Sequence, residues 1–216
     1  MIKKIVNLGL IEYGAADRIM RDTVADLKAG SGENTLFFAE FYPVYTIGRS
    51  GSPDNLLIDR TVLHERGVGV YDVNRGGDIT AHNPGQLVIY PVFDLTGLRK
   101  DIGWFLRSLE RVIIDTLSDF SLTGETRPGM TGVWVNGKKI ASIGVAFSRW
   151  VSYHGVSLNV NNDLTFFGGI NPCGIKGCPV TSLTEELGRM VDLDRVRSTV
   201  EAQSRKIFQV PAHAYA

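Results

Sequence analysis

The stretch Gly132–Val160 reads GVWVNGKKIASIGVAFSRWVSYHGVSLNV, and its pattern decides the fold class. Gly132–Val135 is a β run, Asn136-Gly137 is a type I′ hairpin signal, and Lys139–Phe147 is the return strand. Val151–Val160 adds a third strand, in which Val156, Leu158 and Val160 alternate with Ser157 and Asn159. Hairpin-linked strands beside separate helices predict an α+β domain, not a doubly wound parallel sheet.

Working outward, the clearest helix covers Asp101–Phe120. There Ile102, Phe105, Leu106, Leu109, Val112, Ile113 and Leu117 keep helical spacing. A strand is expected near Lys4–Leu10, then a helix over Ala15–Lys28 that ends at Gly30-Ser31-Gly32. Thr35–Glu40, Val68–Val73 and Leu87–Val92 read as further strands. Ser182-x-x-Glu185 resembles a capping box, and Leu193–Phe208 reads as a last helix.

The 216 residues carry 23 basic and 23 acidic side chains, a balance that argues against a nucleic-acid partner. No apolar run reaches the ~18 residues of a membrane span, and Met1–Leu10 lacks the pattern of a signal peptide. Cys173 and Cys178 are the only cysteines, too few for a disulfide framework. A reduced, cytoplasmic chain is expected. There is no repeat or linker, so residues 1–216 are expected to form one domain, with a C-terminal helical extension from about 184 to 216.

Four segments hold residues that packing alone does not explain. In Arg75–Gln86, adjacent glycines Gly76 and Gly77 suit a backbone that approaches a ligand, in a loop at a sheet rim; a plain Gly/Pro turn is the alternative. Neither phosphate-loop pattern is present there. Lys139 opens a mostly apolar strand, where an ammonium can be partly desolvated for acid–base work; an ordinary hairpin lysine is the alternative. Ser142 and Gly144 leave room on that strand for something slender, or for close packing. His154 reads as a hydrogen-bonded structural histidine, since the four histidines show no short-spaced metal pair, and Gly155 marks a bulge or a close ligand approach. Cys173, between Pro172 and Gly174, is a loop thiol suited to nucleophilic chemistry; two structural thiols are the alternative.

Taken together these segments are more specific. Pro43–Arg49, Arg75–Gln86, Lys139–Gly144, His154–Asp163, Pro172–Ile175 and Val180–Leu183 occur in an order that resembles the lipoyl(octanoyl) transferase family, over about residues 35–190. The resemblance implies a mixed, largely antiparallel sheet flanked by helices, as in the catalytic domains of lipoate and biotin protein ligases. It implies that Cys173 carries an acyl thioester and that Lys139 assists it. Arg75, Gly76, Gly77, Asp78, Ile79, Thr80, Ala81 and His82, with Ser142, Ile143, Gly144, Gly155, Val156 and Ser157, are implied to line the acyl pocket. Backbone N–H groups near Cys173 and in Arg75–His82 are the expected oxyanion donors.

The resemblance further implies octanoyl transfer from acyl carrier protein to a lysine of lipoyl domains, those of 2-oxoacid dehydrogenases and of the glycine cleavage H protein. No metal, cofactor or membrane is expected. The first loop departs from the family's usual Gln-Val-Thr-Tyr-His-Gly, having Asp78-Ile79-Thr80-Ala81-His82-Asn83 instead. Loss of the tyrosine and gain of a carboxylate are expected to bear on pocket shape, acyl length or docking. The competing readings are an ATP-dependent lipoate–protein ligase, a thioesterase, and a non-catalytic relative that binds acyl carriers.

Overall fold

The computed structural model describes residues 1–209. In chain order its elements are β1 (Lys4–Ile11), α1 (Tyr13–Ala29), β2 (Thr35–Phe41), β3 (Val44–Ile47), α2 (Arg60–Glu65), β4 (Gly69–Asp72), β5 (Ile79–His82) and β6 (Gln86–Val92). They continue with α3 (Ile102–Asp119), β7 (Glu125–Arg127), β8 (Met130–Val135), β9 (Lys138–Ser148), β10 (Val151–Asn159), α4 (Leu183–Leu187) and α5 (Leu193–Gln209).

The hairpin stretch forms the heart of a seven-stranded sheet ordered β1-β2-β6-β10-β9-β8-β7. Asn136 and Gly137 both take positive φ, 49° and 80°, as a type I′ turn requires. They set the Val135–Lys138 register, and β9 continues antiparallel to β10 from Ala141 to Ser148. Among the described residues the β1–β2 pair of this sheet is parallel and its other pairs are antiparallel. The mixed, largely antiparallel α+β architecture therefore stands.

Strand alternation divides the core. Leu36, Phe38, Leu87, Ile89 and Leu158 face α3 and α5, joining Phe105, Leu109, Val196 and Phe208. Phe37, Ala39, Val88 and Tyr90 point the other way, to Tyr13, Ala16 and Met20 of α1. Each helix thus buries its apolar stripe on one sheet face. Asp101 caps α3, accepting from the Trp104 N–H at 2.8 Å, and the αL residue Gly30 closes α1.

A second sheet, β4-β3-β5, packs over its own cluster of Tyr45, Ile47, Leu63, Ile79 and Phe167. It corrects one expectation: Ile79–His82 is not loop but strand β5, antiparallel to β3. The β3 and β5 strands have four residues each and lie fully buried, so they show no alternation to read. The sheet brings Arg75–Asp78, the loop that enters β5, against the edge of β9, where the Gly76 N–H donates to Val145 O at 2.8 Å.

Candidate active site

Lys139 is second in β9 and 4% exposed. Its backbone is held from both directions, the N–H donating to Pro179 O at 2.8 Å and the carbonyl accepting from Thr181 N–H at 2.9 Å. Gly132 on β8 clears the path of its side chain: a Cβ there would lie 2.8 Å from Lys139 Cε and 2.7 Å from Ala141 O. The ammonium, 5.0 Å from the centroid of the Trp134 ring, donates to Thr131 O at 3.3 Å and meets Cys173 Sγ at 2.8 Å. Among the described residues no carboxylate pairs with it.

Cys173 sits in a single helical turn, Pro172–Gly174, with left-handed backbone at φ 59° and ψ 21°. That conformation is uncommon for a residue with a side chain, and here it turns the thiol toward Lys139. The turn is closed by Gly174 N–H to Asn171 O and Ile175 N–H to Pro172 O.

From this pair a cavity of about 530 Å³ runs along β9, within the range typical of small-molecule sites. Ser142, Ile143 and Gly144 line it, with Val156, Ser157 and the Arg75–Thr80 segment. The Arg75 side chain threads between two glycines, since a Cβ on Gly48 or Gly144 would fall within about 3 Å of it. Its guanidinium donates to the carbonyls of Gly76, Asp78 and Thr46 and to Thr46 Oγ1, at 2.7–3.0 Å. Arg75 is therefore a brace that shapes the loop around the cavity. Burial lowers its pKa.

His82 continues that network, with Nδ1 2.7 Å from Gln86 Oε1 and Nε2 3.4 Å from Thr46 Oγ1. Burial pushes its pKa down to about 4, against the opposing effect of the hydrogen bond to Gln86 Oε1. His154, likewise lowered by burial to about 3, has Nε2 3.2 Å from Asn74 Oδ1, while Nδ1 has no partner among the described residues. Both imidazoles are neutral near pH 7. His154 takes positive φ, 57°, which turns its ring out of strand alternation toward Tyr90 of the α1 layer.

Of the expected site residues the structure gathers all but one around the cavity. Ala81 is the exception: it alternates away from Thr80 and His82, is fully buried opposite Tyr45, and belongs to the core of the small sheet. Position 81, where the family usually has the tyrosine, is therefore not part of the cavity wall. Gly155 touches the cavity, but the close approach it permits is to β6, where a Cβ would lie 2.2 Å from Ile89 O. The oxyanion expectation narrows too. The N–H groups of Gly76, Gly174 and Ile175 are spent on carbonyls and that of Ile79 on Asp78 Oδ1, whereas those of Gly77, Asp78 and Cys173 itself have no acceptor among the described residues.

The sequence reading left out Tyr13, Tyr90, Leu106, Trp134, Val145 and Phe147, which also line the cavity. Tyr13, Tyr90 and Leu106 come from α1, β6 and α3, distant in sequence, whereas Trp134, Val145 and Phe147 belong to the β8–β9 hairpin itself; each reads equally well as plain core. Among the described residues no three His, Cys, Asp or Glu are placed to hold a metal, and no helix is long and apolar enough to cross a membrane.

Residues 14–205 match the family model of the lipoyl protein ligase A/B catalytic domain. The chain is 46% identical over 196 residues to an octanoyltransferase of Geobacter metallireducens, covering 91% of this chain and 89% of that one. It is 45% identical over 199 residues to an octanoyltransferase of Geotalea uraniireducens, covering 92% and 90%. Among solved structures it is similar in fold to lipoate-protein ligase A bound with ATP, with TM-score 0.76, 15% identity, and coverage of 98% and 87%.

Proposed function

The chain belongs to the lipoyl protein ligase A/B catalytic-domain family, and on that premise we propose that it transfers an octanoyl group, in protein lipoylation, through a thioester on Cys173. The observation that carries this reading is the 2.8 Å contact between Lys139 Nζ and Cys173 Sγ at the end of the cavity. The ATP-dependent ligase reading has less behind it, because the ligase likeness at 15% identity extends to the fold alone whereas the octanoyltransferase relatives are near 45%.

The chemistry follows from the residues. The Cys173 thiolate attacks the carbonyl carbon of the donor thioester, a C–S bond forms to the enzyme, and the carrier's thiolate departs with a proton from the Lys139 ammonium. Lys139, now a neutral amine, accepts a proton from the acceptor lysine as its ε-nitrogen attacks the acyl-enzyme. The amide forms, the C–S bond breaks, and the thiolate is left beside a restored ammonium. The free N–H groups of Gly77 and Asp78 are the oxyanion donors this loop has to offer. Arg75, Gly76, Ile79, Thr80, His82, Ser142, Ile143, Gly144, Val156 and Ser157 shape the acyl slot, and about 0.8 kcal/mol per buried CH2 favours a chain that fills it.

An acyl donor and a lipoyl-domain acceptor follow from the family. More finely, we assign octanoyl-acyl carrier protein as donor, the lipoyl domains of 2-oxoacid dehydrogenases and the glycine cleavage H protein as acceptors, and the cytoplasm as the place of work. Neither ATP nor a cofactor is needed. We also read the chain as one catalytic domain. Val196, Val200 and Phe208 of α5 share the core of α3 and the large sheet, while residues 210–216 of the expected extension lie outside the described residues.

Intact-protein mass after mixing with octanoyl-acyl carrier protein alone tests the proposal. The expected result is a gain of one octanoyl group, absent in Cys173→Ser and discharged by a lipoyl domain. Absence of the adduct, with transfer only when ATP and free octanoate are supplied, would establish a ligase instead.

A further inference from the structure

The left-handed turn at Cys173 needs support from outside its own hydrogen bonds, and the structure shows where that support comes from. Asn171, at the base of the turn, donates its N–H to Asn55 O at 2.8 Å, and its side-chain amide lies 3.4 Å from Asn55 Oδ1. Asn55 in turn donates through Nδ2 to Asp78 Oδ2 at 2.8 Å. The other carboxylate oxygen, Oδ1, accepts from the Ile79 N–H at 2.7 Å, which fixes the side chain to the start of β5.

The carboxylate also lies directly under the turn, because a Cβ on Gly174 would sit 2.7 Å from Asp78 Oδ2 and 3.3 Å from Asn55 Nδ2. The choice of acid has a consequence for orientation. An ionised carboxylate only accepts hydrogen bonds, so Asn55 must turn its NH2 toward Asp78 and its carbonyl toward Asn171. An amide in place of Asp78 could donate or accept, and would leave the Asn55 orientation open. The Asn55 segment is tied to the same loop elsewhere, by Leu57 N–H to Gly169 O and a bridge between Leu56 and Ile170.

We propose that Asp78 is a positioning residue for the nucleophile: acting through Asn55, its carboxylate holds the Asn171–Gly174 turn so that the Cys173 sulfur stays in contact with Lys139. This deepens the reading of Cys173 as the acylated residue and rests on it. Asp78 also touches the cavity, whereas Asn55 does not line it, and that difference makes the two roles of Asp78 separable.

The test compares the whole chain with its Asp78→Asn and Asn55→Ala variants, by single-turnover acylation from octanoyl-acyl carrier protein followed by intact mass. Both variants are expected to acylate about tenfold to hundredfold more slowly at saturating donor, as displacement of a reacting group by an ångström does. Donor KM is expected to stay within about twofold, and the double variant to be no slower than the worse single one, as for two groups acting in one chain. The Asn55→Ala variant, altered at a turn outside the cavity, keeps the test open if Asp78→Asn folds poorly. The proposal is overturned if Asn55→Ala acylates at the wild-type rate, or if Asp78→Asn raises KM and leaves the saturated rate unchanged, which would make Asp78 a cavity-lining residue only. Failure of the wild-type protein itself to form an adduct is a different result: it sinks the thioester reading.

Discussion

Lys139 Nζ stands 2.8 Å from Cys173 Sγ, inside the protein, with no carboxylate among the described residues to balance its charge. A buried ammonium without a counter-ion is costly, and the sulfur of Cys173 is the side chain set against it. The Thr131 carbonyl and the face of Trp134 supply the remaining contacts. The strand that carries the lysine therefore also builds the charge environment in which the sulfur can react.

Lys139→Met keeps the chain length and the contact with Trp134 but removes both the charge and the proton. Acylation of Cys173 is expected to slow by about 10²–10⁴, the usual contribution of a positioned acid–base group, with the thermal midpoint nearly unchanged. Rapid-quench mass spectrometry against a melting curve checks this. An acylation rate within a few-fold of wild type would remove Lys139 from the mechanism.

Gly132→Ala reaches the same lysine from the neighbouring strand. The new Cβ would meet Lys139 Cε at 2.8 Å and Ala141 O at 2.7 Å, on a backbone with φ 142°. Either the lysine swings away from the sulfur or the β8–β9 hairpin parts. The expected outcome is a loss of activity approaching that of Lys139→Met, together with about 1–3 kcal/mol of destabilisation from overpacking. Acylation rate and urea midpoint measured on one preparation separate the two effects, and wild-type values for both would show that the hairpin yields freely.

The large sheet was legible because its hairpins carry their own signals: Asn136-Gly137 for the turn, and the Val156, Leu158, Val160 alternation for the face. The stripe of α3 was legible for the same reason. Of the small sheet only β4 was, inside the strand expected over Val68–Val73; β3 and β5 are four-residue buried runs with no period to read, and glycines and Pro84 surround β5. Cys173 and Lys139 stood out through their positions in the ordered set of motifs, but nothing local tells that a hairpin lysine and a loop cysteine 34 residues later will touch. That contact depends on Pro179 and Thr181 pairing with Lys139 across the end of β9, a long-range bond with no periodic trace. The family resemblance assigns the whole Arg75–His82 stretch to the pocket, and only the alternation of β5, which has no trace in the sequence, turns Ala81 away from it.

Ala81→Tyr tests that reassignment. Ala81 has no exposed surface and packs with Tyr45, Phe167 and Ile170. A tyrosine there is expected to cost about 1–3 kcal/mol by overpacking, which for a chain of this size lowers the thermal midpoint by roughly 2–4 °C per kcal/mol. The relative rates with hexanoyl, octanoyl and decanoyl donors are expected to stay as in wild type. A changed chain-length preference would put residue 81 back in the acyl wall.

The two buried histidines make stability depend on pH in a known direction. His82 is held neutral down to about pH 4 and His154 down to about pH 3, in both cases chiefly because burial penalises the charged ring. In the unfolded chain each titrates near its ordinary value of about 6.5. Between those values the unfolded state binds more protons than the folded one, so stability is fully present above about pH 6.5 and falls as the pH drops toward the folded values. Each histidine contributes a slope of up to about 1.4 kcal/mol per pH unit in that window. Urea unfolding of the wild type is therefore expected to lose stability between pH 7 and pH 5, where most carboxylates remain ionised in both states. In His82→Asn, which retains a polar partner for Gln86, one of the two contributions disappears, and the loss over the same interval is expected to shrink by about half. Parallel pH curves for the wild type and the variant would mean that His82 carries a proton in the folded protein, and with it a positive charge beside Arg75.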